Sequence, residues 1–185
     1  MKSKTAAMEM SVGTIVTIVL LVTVLILGVV LIKNIFSSAK GVVDLTDQQL
    51  RDEVNKLFSE ENKISIYPGT KFIEIKQTVT DGVGLGIKNL LTGASGSKTF
   101  SYLVKVSDPD LQEKCGVNKE TVEDWITIGR AADEIPLASG DSTVRKVLFS
   151  IPLGAPLCTI QFQVDVSAGG GPYATDTFAI EIKAK

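Results

Sequence analysis

The sequence predicts an N-terminal transmembrane α-helix followed by an all-β domain folded as an antiparallel sandwich. Three observations predict it. From Met10 to Ile32 no residue carries a charge. From Lys63 onward the apolar period changes from helical to alternating. Turn signals punctuate the alternating runs: Pro68-Gly69, Gly93 to Gly96, Gly140-Asp141 and Gly169-Gly170-Gly171-Pro172. The expected parts are a short basic leader (1–9), a membrane helix (10–36), an amphipathic helical linker (37–62) and a β-sandwich ectodomain (63–185).

Composition narrows the function. The chain has 185 residues and a net charge of −2, with no long basic run, so nucleic acid is not an expected partner. It has no His, the commonest general base and metal ligand. Its two cysteines, Cys115 and Cys158, form no CxxC pair, which argues against a cysteine zinc site.

The uncharged run MSVGTIVTIVLLVTVLILGVVLI holds 23 residues. As a helix it spans about 35 Å, enough for a hydrocarbon core of about 30 Å. Its many β-branched residues favour a strand in water, but in lipid the backbone must satisfy its own hydrogen bonds, and the helix wins. Thr14, Thr17 and Thr23 are tolerable because their hydroxyls reach a carbonyl one turn back. The alternative is a cleaved secretory signal, with Lys2 and Lys4 ahead of it and Ser37-Ser38-Ala39 as the cut; the run is far longer than such a signal needs. Lys2 and Lys4 give the N-terminus a slight cytoplasmic bias, which puts the C-terminal domain outside a cell membrane crossed once.

Glu9 stands just before the apolar run, after MKSKTAA. A basic leader, small residues, an acid and some twenty apolar positions resemble a type IV pilin precursor. More narrowly, KTAAMEMSVGTIVTIVLLVTVLILGVVL resembles the N-terminus of archaeal pilin-like surface proteins. The resemblance implies a prepilin-type peptidase as a partner, cutting on the cytoplasmic side. It also implies self-assembly through the apolar helix into an extracellular filament that displays β-rich heads. Cleavage after Ala6, before Ala7, keeps a small residue at the cut and makes Glu9 the third mature residue. The commoner spacing, with the acid fifth, would start the chain at Thr5 after Lys4. Glu9 is the expected assembly residue, pairing with a neighbour's new amine; a second reading has it only favouring the positive end of its own helix.

In the linker, Leu50, Val54, Leu57 and Phe58 fall on one helical stripe. Thr46 with Gln49 fits a capping box. A helix is expected over Asp47–Ser59, set off from the membrane helix by Gly41. Its stripe packs on the β domain, on a neighbouring subunit or on a membrane surface, the first being the default.

The β domain shows inward rows at Phe100, Tyr102, Val104 and Val106; at Val147, Phe149 and Ile151; at Cys158, Ile160, Phe162, Val164 and Val166; and at Phe178, Ile180 and Ile182. Weaker strands lie near 64–67, 71–79, 83–90 and 124–129, giving about eight in all. Clean alternation means sheets wet on one face, which must pair face to face. The C-terminal run KVLFSIPLGAPLCTIQFQVDV and TFAIEIK resembles the last strands of immunoglobulin-like surface domains. Trp125 lies between the cysteines, but Cys115 falls in a polar insertion, so the antibody-like Cys, Trp, Cys order is met only loosely.

Two lone cysteines in an outward-facing chain predict a Cys115–Cys158 disulfide; two buried free thiols are the alternative. Gly82, Gly84 and Gly86 fail as a nucleotide loop, since no helix and no P-loop lysine follow; a glycine-rich strand fits better. Asp108, Asp110, Glu113, Glu120, Glu123 and Asp124 cluster in sequence, but their spacing matches no calcium loop, so a solvated face is expected. No catalytic, cofactor or metal residue is assigned, and an enzyme is not expected. Three functions stay open: a filament subunit, an anchored surface module that does not polymerise, and an enzyme built on a carboxylate pair, which no residue pattern favours.

Overall fold

The computed structural model describes residues 6–37, 41–59, 61–92 and 98–185. The chain divides into two units, Met1–Lys40 and Gly41–Lys185. The first contains a single described helix, α1 (Ala6–Ser37), whose side chains are described from Gly13 to Leu31.

The second unit opens with a 3-10 turn (Val42–Asp44) and a helix, α2 (Asp47–Leu57). The capping box is present: the Gln49 N–H donates to Thr46 Oγ1 at 3.3 Å, and the Thr46 N–H donates to Gln49 Oε1 at 3.1 Å. The helix stops two residues before Ser59, because Phe58 turns extended and drops its ring toward the sheet. Then follow β1 (Ile64–Tyr67), β2 (Phe72–Lys76), β3 (Thr80–Lys88), β4 (Lys98–Val106), α3 (Leu111–Cys115), α4 (Lys119–Glu123), β5 (Ile126–Ile128), β6 (Ala131–Leu137), β7 (Ser142–Ser150), β8 (Thr159–Ala168) and β9 (Gly171–Lys183).

The strands form two sheets, ordered β1-β3-β7-β5 and β2-β9-β8-β4-β6. Setting β2 and β6 aside, the chain visits the positions of an immunoglobulin sandwich in order: A, B, E and D in one sheet, C, F and G in the other. The expected inward rows meet between the sheets. Phe149 of one sheet contacts Phe162 and Phe178 of the other, with ring centroids 4.9 and 6.0 Å apart, and Phe162 stacks on Phe178 at 5.4 Å.

Three departures have physical causes. The sandwich is not wholly antiparallel, because β2 runs parallel to β9: at Pro68-Gly69 the chain leaves one sheet edge for the other without reversing. Strand β6 has no counterpart among the expected strands. Its sequence AADEIPL carries two adjacent acids and a proline, and only Ile135 and Leu137 are buried. Proline is tolerated because β6 is an edge strand. Strand β9 starts at Gly171, well before Phe178, since its first half is polar and half-exposed. The Gly93 to Gly96 turn lies outside the described residues.

β5 and β6 are nearly continuous and switch sheets at Gly129-Arg130. Gly129 has φ +75°, and a Cβ there would sit 2.1 Å from the Lys146 carbonyl oxygen. Only glycine serves at this corner.

α2 lies on the outer face of β3, where Gly82, Gly84 and Gly86 alternate with the core residues Val83, Leu85 and Ile87. A Cβ on Gly84 would stand 2.5 Å from Leu50 Cδ1; one on Gly86 would stand 2.4 Å from Val54 Cγ1 and 2.8 Å from the Phe58 ring. Gly84 and Gly86 are the floor on which the helix stripe rests. Val42, Leu45, Leu50 and Val54 are buried there as a second core, with Phe58, Tyr67, Val144 and Leu148 packed around it. Lys146 fastens the helix start by donating to the Leu45 carbonyl at 2.9 Å and pairing with Asp47 at 3.1 Å. Of the three docking surfaces open to the stripe, the β domain is the one it occupies.

A Gly86→Ala substitution should therefore destabilise the head by about 1–3 kcal/mol through overpacking, despite the entropic gain of losing a glycine. Val54→Ala should recover part of that loss when combined with it, although alone it opens a cavity. Chemical denaturation of the two single variants and the double variant measures the coupling; strict additivity would contradict the helix seat.

Candidate functional site: an apolar helix and a stapled insertion

The features that sequence marks for function lie in different units. In α1, Gly13–Leu31 is a 19-residue stretch long and apolar enough to cross a membrane, about 28 Å at helical rise. All its described side chains are exposed. Two of its threonines bond within the helix: Thr17 Oγ1 donates to the Gly13 carbonyl at 2.7 Å, and Thr23 Oγ1 to those of Val19 and Leu20 at 2.7 and 2.9 Å. A helix apolar on every side is matched to lipid or to other apolar helices. A membrane anchor and a signal sequence share these properties. Ala6, Ala7 and Glu9 fall at the start of α1, and their side chains lie outside the described residues.

In the second unit, Cys115 and Cys158 are bonded, with Cα atoms 5.8 Å apart and a sequence separation of 43. Cys115 ends α3, where Gly116 at φ +67° stops the helix. Asp110 holds the cap position, with Pro109 just before it. Asp108 fixes the start: its Oδ1 accepts the Asp110 N–H at 3.1 Å and Lys114 Nζ at 3.2 Å. The same hydrogen bond to Asp108 holds the Lys114 ammonium above its ordinary range. α4 begins at Asn118, whose Oδ1 accepts the Thr121 N–H at 2.8 Å. Leu111, Cys115, Val122 and Trp125 are all buried and join the main core. The tryptophan thus stands just before β5 and not on the strand equivalent to C.

The acidic run divides in two. Asp108 is buried. Glu123 accepts the Val106 N–H at 3.0 Å and pairs with Arg130, clasping the end of β4 to the strand switch. For these two acids the expectation of a solvated face is corrected. Sequence carries little sign of the clasp, because Val106 contributes only its backbone. Asp110, Glu113, Glu120 and Asp124 are exposed. Among the described residues no three acidic or thiol groups converge on a point that could hold a metal ion. The insertion is a stapled structural element, with the disulfide at one end and the Glu123 clasp at the other.

Neither a protein-family model nor a curated protein sequence matches this chain. Among solved structures, it is similar to the periplasmic chaperone SfaE at 8% identity and TM-score 0.37, over 66% of this chain and 57% of that one. It is similar to a PapD-like domain of human CEP192 at 13% identity and TM-score 0.33, over 70% and 93%. A third similarity is to the alkylpurine DNA glycosylase AlkC of Pseudomonas fluorescens, at 10% identity and TM-score 0.31, over 72% and 34%. The chain thus spans little more than half of the chaperone and about a third of the glycosylase.

Replacing both Cys115 and Cys158 by Ser should lower head stability by about 3–4 kcal/mol, by the loop-closure entropy restored to the unfolded chain. Urea titration reads the change, and non-reducing peptide mapping of native protein should recover the two cysteines as one cross-linked peptide pair.

Proposed function

We propose that this chain is a structural subunit of a type IV pilus-like surface filament. Its apolar helix first anchors it in a cell membrane, crossing once, with the N-terminus cytoplasmic and the head outside. The helix then carries it into an assembly that displays the immunoglobulin-like head. The observation that carries the reading is α1: a long helix, apolar all round, on a disulfide-bonded head that has its own cores. Support comes also from the leader-like MKSKTAA and from Glu9 ahead of the span. The slight basic bias of the N-terminus favours the orientation, as does a disulfide, which persists outside the cytosol.

The physical logic of assembly lies at Glu9. A carboxylate drawn into an apolar bundle needs a cation, because burying it alone costs several kcal/mol. Removal of the leader at Ala6-Ala7 creates an amine close to Glu9, and a neighbouring subunit's amine is the cation at hand. A prepilin-type peptidase is the partner this requires. The head holds no proposed catalytic group.

Two outcomes test the reading. The protein should stay with membranes through high-salt and carbonate washes and begin about 4–7 residues after Met1. Release into the soluble fraction, an intact Met1, or a start near Lys40 would each contradict it. Glu9→Val should leave insertion intact while abolishing filaments seen by electron microscopy of the cell surface. Normal filaments in that variant, or none containing the wild-type chain, would make the non-polymerising surface module the better account.

A further inference from the structure

β7 is paired on both sides for only part of its length. Its ladder with β3 runs from Ser142 to Ser150, but β5 meets it only at Leu148 and Phe149. Beyond that point β5 turns away at Gly129 and the chain enters the other sheet as β6. From Ser142 to Arg145 one edge of β7 therefore has no strand beside it among the described residues. Backbone N–H and C=O groups stand open there, a template on which an extended chain can add. A cleft of about 480 Å³ lies along this stretch, lined by Arg51 of α2, Arg145 of β7, Ile128 of β5 and Tyr102 of β4. Lys146 and Asp47 also line it but are spent on each other at 3.1 Å.

Strand alternation puts the free cations on opposite faces of this edge. Arg145 pairs with Leu85 and shares its inner face, toward the other sheet; Val144 and Lys146 pair with Gly86 and Gly84 and take the outer face, where α2 lies. Arg51 comes from α2 and stands on that outer side. Both arginines are exposed, and neither pairs with an acid among the described residues. Tyr102 is only 4% exposed. Its hydroxyl bonds to no described residue and is not sealed in, so it opens on the cleft. Burial pushes this phenol above its ordinary range, against the opposing charge of Arg145, so at neutral pH it is an O–H donor. Charges alone would serve to guard an edge against aggregation, but a guard needs no buried donor, and a buried tyrosine hydroxyl ordinarily has a partner. We propose that the cleft takes an extended acidic peptide as a strand added to the open edge of β7, with two consecutive carboxylates reaching Arg51 on the outer face and Arg145 and the Tyr102 hydroxyl on the inner face. The acids must be consecutive, because neighbouring side chains of a strand point to opposite faces. Guanidinium forks supply the carboxylate recognition and backbone pairing the rest. The site lies within the head and does not depend on the membrane or filament reading.

The test uses the full chain in dodecylmaltoside micelles and fluorescently labelled peptides read by anisotropy. The peptide TVDEVT should bind, and more weakly as salt rises. TDVEVT, whose acids share one face, and TVKKVT should each bind at least about tenfold more weakly. Of the two forms of TVDEVT that are N-methylated at alternate peptide groups, one should fail and the other bind, because only one edge of an added strand faces β7. Arg51→Gln and Arg145→Gln should each weaken TVDEVT binding by about tenfold, and Tyr102→Phe by about fivefold, while Lys183→Gln, on β9, leaves it unchanged. No binding of TVDEVT, equal binding of TDVEVT, or wild-type affinity in both arginine variants overturns the proposal. Parent-like binding of both N-methylated forms, with full displacement by glutarate, also overturns it, in favour of an anion pocket without an added strand. Self-association in sedimentation that Arg145→Gln abolishes, with no peptide bound, overturns it in favour of a second copy on the edge. The peptide comparisons stand on the wild-type chain, so they decide the matter even where a variant fails to fold.

Discussion

The head depends on one strand buried on both faces. β3 sends Val83, Leu85 and Ile87 into the sandwich and turns Gly84 and Gly86 to α2. A strand with side chains on both faces would hold the helix several ångströms farther off, leaving voids round Leu50 and Val54. The bare backbone lets those side chains descend to the sheet itself, close to the packing density of a core. Glycine is a poor strand former, so the central position of β3 between β1 and β7 has to compensate. It does so through continuous ladders on both sides, nine residue pairs long against β7.

That contact explains what lies upstream. Because α2 is seated along β3, Val42 and Leu45 are drawn into the second core, and Lys146 reaches from β7 to the Leu45 carbonyl. The start of the head is therefore part of its fold, not a loose linker. Residues expected to form a separate linker segment divide: those after Gly41 belong to the compact head. The opposite edge is handled differently. There the β5–β6 run changes sheets at Gly129, and Glu123 bridges the end of β4 to Arg130 across the corner.

Much of the fold was legible because the signals were local. The alternating rows around Phe100, Phe149, Phe162 and Phe178 needed only period two and a count. The capping box at Thr46 and Gln49 needed only four adjacent residues. The cysteines needed only their number and an outward orientation. What escaped was set by non-local partners. β6 has a weak pattern because one face is solvent and its neighbour is β4, some thirty residues earlier. The glycines of β3 read as strand, but nothing local said that a helix would lie on them. Asp108 and Glu123 read as surface charge, since each is tied down in part by a backbone N–H group, which has no letter in the sequence. For α1 the reverse held: composition alone set the helix, and the residues that bear on assembly, Ala6, Ala7 and Glu9, are read from sequence only.

α1 poses a constraint that any assembly must meet. In its described span Thr17 and Thr23 spend their hydroxyls on their own helix, so the surface offered to a neighbour is almost wholly apolar. Apolar contact between such helices is nearly indifferent to sliding, as one leucine surface resembles the next one turn along. Axial register between copies must then come from the helix ends or from the heads. Charge near the span occurs at Glu9 on one side and Lys33 on the other. A carboxylate paired across subunits is intolerant of sliding, since a shift of one turn, about 5.4 Å, separates it from its partner and leaves it unpaired among apolar groups. In the proposed filament the single acid thus supplies the specificity that the apolar surface lacks, as a lone polar residue does in a coiled-coil seam. The apolar span would supply the affinity.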